Sequence, residues 1–157
     1  MIKLILPGEP TAQARIRIFK RGNRVMTYDP QTAYKKDLKI QVLDQLENLD
    51  WKFPEYPRVM FWFHMPIPKS MSKKDRVHAE AGLFKHIKKP DVDNLVKLYL
   101  DVLSGTAFND DNCVSLGQSI KVYSIHPKTV IYIEETTQFI TPNEVYEGTW
   151  PTQSKKS

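Results

Sequence analysis

The chain is predicted to fold as α+β, a mixed β-sheet of about five strands carrying two main helices. Three observations lead there. "PRVMFWFHMPI" is an unbroken apolar run of the length and β-rich composition of a central strand. Two segments, "PQTAYKKDLKIQVLDQLENL" and "DVDNLVKLYLDVLSG", repeat apolar residues at helical spacing. Apolar or alternating segments at both ends supply the remaining strands.

In chain order, "IKLILPG" is a first strand ended by Pro7 and Gly8, not a signal peptide. "RIRIFKRGNRVMTYD" alternates apolar and basic residues around Gly22-Asn23, a hairpin pattern with Ile16 and Ile18 on one face and Arg15 and Arg17 on the other. The first helix is expected from Pro30, with Asp29 as its N-cap and Tyr34, Leu38, Val42 and Leu46 as its apolar stripe. "PKSMSKKDRVHAEAG" predicts a short basic helix or ordered loop ended by Gly82. The second main helix puts Leu95, Leu98, Tyr99, Val102 and Leu103 on one face and stops before Gly105. "CVSLGQSIKVYS" and "KTVIYIEE" read as two strands joined at His126-Pro127. This organisation predicts one domain over 1–135 and a polar extension over 136–157, loose or packed on a neighbour through Trp150.

Composition narrows the function classes. No run of about 18 apolar residues is present, so no membrane span is expected. The single cysteine, Cys113, excludes an intrachain disulfide and a multi-cysteine zinc site, and fits a reducing cytoplasm. The four histidines lack ligand spacing. The net charge of +5 points to a polyanionic partner, and its distribution sharpens that. Residues 13–24 hold Arg15, Arg17, Lys20, Arg21 and Arg24 with no acid. Residues 69–89 hold seven cations, among them Lys73, Lys74, Arg76, Lys88 and Lys89, against Asp75 and Glu80.

Against that basic background, "KKPDVDNLVKLYLDVL" gathers carboxylates. Asp91 and Asp93 stand at a helix start, with Lys97 and Asp101 following Asp93 at i, i+4 spacing, and Asp110 and Asp111 come in the next turn. Two carboxylates at a helix start plus one from a neighbouring turn suit a hard divalent cation. The same residues also suit helix capping, an exposed charge ladder and an ordinary turn. Cations that hold phosphates around acids that hold a metal is the arrangement phosphodiester hydrolysis uses. Asp101 is expected to pair with Lys97. Asn94 is expected to cap the helix or to support the metal's ligands. Tyr28, Trp62 and Phe108 read as core residues, and Cys113 as a small buried hydrophobe.

The run "KKPDVDNLVKLYLDVLSGTAFNDDNCV" resembles the central motif of the RusA family of Holliday junction resolvases, small endodeoxyribonucleases of bacteria and their phages. The basic-Pro-Asp-x-Asp-Asn-Leu-x-Lys run, the helix and the Asp-Asp pair occur in order. The opening strand with its basic segment and "PIPKSMSKKDR" are also similar, so the resemblance spans about residues 2 to 135. In the basic arm, "AQARIR" keeps the arginines of the family's Pro- and Arg-rich stretch but not its prolines.

The resemblance implies an intertwined homodimer, dependent on Mg²⁺ with Mn²⁺ able to stand in, that binds four-way DNA junctions and nicks two opposed strands. It implies Asp91, Asp93 and Asp111 as metal-binding catalytic carboxylates, Asp110 in a lesser metal role, and Lys97 as the catalytic lysine. Arg15, Arg17, Lys20, Arg21, Lys73, Lys74, Arg76, Lys88 and Lys89 are candidate contacts to the DNA backbone. The expected setting is the cytoplasm of a bacterial or phage-infected cell. The alternatives are a fork or flap nuclease with the same site, a non-catalytic DNA-binding protein and a metal-stabilised structural protein.

Overall fold

The computed structural model describes residues 1–136, so the expectation for the C-terminal extension falls on residues outside those described. The elements are β1 (Ile2–Pro7), β2 (Arg17–Arg21), β3 (Arg24–Tyr28), α1 (Thr32–Glu47), β4 (Pro57–Pro66), α2 (Lys73–Glu80), α3 (Val92–Leu103), a 3-10 turn (Asp111–Cys113), β5 (Leu116–Ser124) and β6 (Lys128–Glu135). β1, β6, β4 and β5 form one mixed sheet in that order, with β4 and β5 parallel and the other pairs antiparallel.

The class is therefore α+β as expected, but the count of about five strands is corrected. Four strands make the sheet, and β2 and β3 form a separate two-stranded ribbon. The reason lies in the ribbon's alternation. Arg17 and Arg21 share a face with Phe19, and Lys20 shares the other with Ile18, so neither face is apolar enough to bury.

β4 is central, as its apolar run predicts, between β6 and β5. The helices cover one face only. Val59, Phe61, Phe63 and Met65 point into the core, while Met60, Trp62 and His64 alternate to the other side. The core closes when Leu38, Val42 and Leu46 of α1 and Leu95, Leu98 and Val102 of α3 pack onto that inner face. Tyr99 brings its ring to 5.5 Å from Phe63 and 6.5 Å from Phe61. Burial pushes the Tyr99 phenol well above its ordinary pKa, and its oxygen accepts a 3.4 Å bond from the Thr11 N–H.

α1 starts later than expected. Gln31, not Asp29, is its N-cap, and it makes no side-chain capping bond. Asp29 is drawn elsewhere. Its Oδ1 accepts from the Gln31 N–H at 2.8 Å and its Oδ2 from the Lys35 ammonium at 2.6 Å. Lys35 also meets Asp101 of α3 at 2.6 Å. The expected Asp101–Lys97 pair is thus replaced by a clamp between α1 and α3, because α1 presents a closer cation.

Burial alone would lower the pKa of the Lys35 ammonium, but its bonds to Asp101 and Asp29 outweigh that and raise it above 10.5. The Lys35 bond, with the Gln31 N–H, holds the Asp29 carboxyl below 3.8. The Lys35 contribution to stability is present below pH 10.5 and is lost as pH rises through the raised folded value. The Asp29 contribution is present above pH 3.8 and is lost as pH falls through the depressed one. Lys35→Met keeps the buried stem and leaves two carboxylates facing each other. It is expected to cost about 2 kcal/mol in urea unfolding at neutral pH, with a flatter alkaline limb.

Candidate metal and nucleic-acid site

α3 begins at the acidic cluster. Asp91 is its N-cap in extended conformation, yet its carboxylate makes no capping bond. Aspartate at this position ordinarily spends its oxygens on the free N–H groups of the first turn. Here neither an ion pair nor a hydrogen bond engages that carboxylate among the described residues, and it is exposed. Asp93, one turn before Lys97, lies 3.4 Å from the Lys97 ammonium, both side chains being 64% exposed. Such a pair contributes little to stability and is easily exchanged for another partner. The sequence expectation that Asp93 and Lys97 share a helix face is met.

The 3-10 turn sorts the second acidic pair. Asp110 caps the turn, its Oδ1 accepting the Asn112 N–H at 2.9 Å. Asp111 is exposed, with no side-chain partner among the described residues. The turn is held in place from behind. Phe108 is fully buried, as expected, and the Trp51 indole N–H donates to the Ala107 carbonyl at 2.8 Å. α3 packs against this turn. Cys113, expected to be buried, is only half-buried, and its Sγ bonds the Asp110 carbonyl.

Among the described residues, no three His, Cys, Asp or Glu side chains close into a ready-made metal cluster. What the chain offers is looser, with Asp91 and Asp93 at the start of α3 and Asp111 on the 3-10 turn that packs against α3. Those hard oxygen donors fit Mg²⁺, which keeps several waters and takes one or two carboxylates together with substrate phosphate.

Two segments brace the helix start. The foot of the ribbon is tied to it, the Gln13 N–H donating to the Asn94 carbonyl at 2.9 Å. Gln31 fixes the same foot, accepting from the Ala14 N–H and donating to the Ala12 carbonyl. Asn94 thus supports the site through its backbone, a role that its side chain did not advertise. On the other side, residues 85–90 run beside β5. Lys85 forms a bridge with Val122, and the His86 ring lies 4.8 Å from Tyr123. Lys121 donates to the carbonyls of Lys88 and Pro90, each at 2.8 Å. Burial, then the charges of Lys121 and Lys88, lower the His86 pKa, so the ring is neutral at pH 7.

All nine candidate DNA contacts are exposed. Arg15 lies at the foot of the ribbon, which is tied to the start of α3, while Arg17, Lys20 and Arg21 run along β2 to the hairpin tip, and Lys88 and Lys89 lead through Pro90 into Asp91. Lys73, Lys74 and Arg76 sit on α2, which packs against β5 through Ala79 and Tyr123. Tyr28 and Trp62 are not core residues, contrary to expectation. Tyr28 is exposed on the ribbon, edge-on to Phe19 at 6.1 Å and bonded by Arg17. Trp62 is exposed because helices cover only the other face of β4.

Among the described residues, no helix is long and apolar enough to cross a membrane. A family model described as Endodeoxyribonuclease RusA matches residues 7–134. The chain is also 33% identical over 138 residues to the uncharacterized protein YqaN of Bacillus subtilis (strain 168), covering 87% of this chain and 97% of that one. The match takes in the acidic helix start, the 3-10 turn and the basic ribbon together, and the chain belongs to the RusA endodeoxyribonuclease family.

Proposed function

We propose that this endonuclease resolves four-way DNA junctions as a Mg²⁺-dependent homodimer, in the cytoplasm of a bacterial or phage-infected cell. The observation that carries the reading is the state of the acids. Asp91 and Asp111 stand exposed without partners among the described residues, and Asp93 is held only by Lys97, beside the foot of a basic ribbon.

Asp91, Asp93 and Asp111 would hold Mg²⁺, with Asp110 contributing less because it caps its own turn. When bound, the ion supplies an acidified water and neutralises charge at the phosphate. The protein supplies the rest. Lys97 can exchange Asp93 for a phosphate oxygen, placing a point charge where negative charge develops. Arg15, Arg17, Lys20, Arg21, Lys88 and Lys89 grip the strand on either side of the acids, with Lys73, Lys74 and Arg76 extending the track. Phosphate contacts position the DNA without reading its sequence, so junction selectivity must come from geometry, from two sites fixed by a two-fold axis. The sheet face bearing Trp62 and Ile120, open in the single chain, is available for such an interface.

The test is cleavage of a synthetic mobile junction, with and without Mg²⁺, beside a linear duplex and a fork. Paired symmetric nicks on the junction, absent in EDTA, are expected. Cutting of the fork alone would keep the site and change the substrate. Binding without cutting under any divalent metal would make the protein a DNA-binding module. Junction affinity should fall steeply with salt, and Arg17→Ala should reduce the slope of log K against log [salt] by about 1. An unchanged slope would remove Arg17 from the footprint.

A further inference from the structure

We propose that Lys121, on β5, is a positioning residue of the nuclease site, holding the backbone from which Asp91 projects. The inference rests on the reading that Asp91 takes part in holding a divalent cation.

The segment before α3 has few backbone bonds of its own. Pro90 has no N–H, and one bridge, Lys85 to Val122, joins residues 85–90 to the β5 ladder. Beyond that bridge the chain is fastened by side chains of β5. Tyr123 takes the His86 ring, and the Lys121 ammonium takes two carbonyls, those of Lys88 and Pro90, at 2.8 Å each. The Pro90 carbonyl belongs to the peptide unit that begins Asp91. Two charge-assisted bonds from one ammonium therefore fix the peptide on which the Asp91 side chain turns. Asp91 has no capping bond of its own to do this. Lys121 is half-buried, so its ammonium is committed to these carbonyls and is not spread toward solvent like Lys88 and Lys89.

A positioning role and a purely electrostatic one have opposite signs. A cation near a metal site repels the metal, so removing its charge would tighten binding. Removing a brace from a ligand loosens it, and loss of such outer partners weakens metal affinity by about 10–100-fold.

Lys121→Met should therefore raise the Mn²⁺ dissociation constant, read from the free-ion EPR signal, by about 10–100-fold. The Mg²⁺ concentration for half-maximal junction cleavage should rise in parallel, with the rate at saturating Mg²⁺ largely recovered. Lys121→Arg, which can donate to both carbonyls, should restore much of the metal affinity. Junction binding in EDTA should not change. Tighter or unchanged Mn²⁺ binding would overturn the proposal. So would a loss of junction affinity in EDTA matching the loss of cleavage, which would make Lys121 a phosphate contact. If Lys121→Met fails to fold, Lys121→Gln, which keeps a donor, is judged by the same measurements. If the wild type binds Mn²⁺ but cuts nothing, the nuclease reading fails, while weaker Mn²⁺ binding by the variant would still support the brace.

Discussion

Asp93→Asn is expected to cut a four-way junction on the order of 10²–10³-fold more slowly than the wild type while binding it at least as tightly. The substitution is isosteric and lies on the exposed side of α3, so the fold is untouched. An amide oxygen can still accept from Lys97 but is a poor ligand for a hard cation, and a negative charge facing the phosphate is gone. Rate and affinity therefore move in opposite directions, which simple unfolding cannot imitate. Single-turnover cleavage at saturating protein, with affinity measured in Ca²⁺ or EDTA, separates the two. Asp110→Asn should do much less, since an amide oxygen can still accept the Asn112 N–H. Asp93→Asn that cuts at the wild-type rate would remove Asp93 from the chemistry.

Phe63→Ala should destabilise the protein by about 3–5 kcal/mol, a large share of the 5–15 kcal/mol that holds a typical domain together. Phe63 is fully buried at the centre of β4, stacked on Phe61 at 5.6 Å and packed against Tyr99 at 5.5 Å. It joins the sheet to α3, so the void would open directly beneath the helix that carries the acids. Urea unfolding should show the midpoint falling with little change in slope, and Phe63→Leu should recover part of the loss. A loss under about 1 kcal/mol would mean that the core collapses around the gap, contrary to its close packing.

Much of this was legible in the sequence, because periodicity reports burial. The 3.6-residue repeat in α3 and the apolar run of β4 located the core, and Asp93 with Lys97 could be placed on one helix face by spacing alone. What escaped were contacts between elements distant in the chain. Lys35 sits inside the apolar stripe of α1 and reads as a solvent-facing lysine until α3 brings Asp101 to it. Lys121 alternates in a strand like any exposed residue, and nothing local shows that residues 88 and 90 will lie over it. Trp62 and Tyr28 read as core because aromatic rings usually are. One sits on an uncovered sheet face and the other on a ribbon with no backing.

That ribbon, β2 and β3, has a thermodynamic consequence. A two-stranded hairpin with both faces in water has little apolar burial to set against the entropy of its own ordering. Its free energy of local opening must lie near the bottom of the molecule's range, far below that of β4 and α3. Its amide protons should exchange early, in a step independent of global unfolding, although its foot is pinned at Asn94. Contact with a polyanion would then complete the ordering of the arm, with part of the attraction consumed in doing so. In the proposed complex the arm would therefore settle against backbone paths of differing curvature, while Asp91 and Asp93, beside its foot, would stay on the rigid part of the domain.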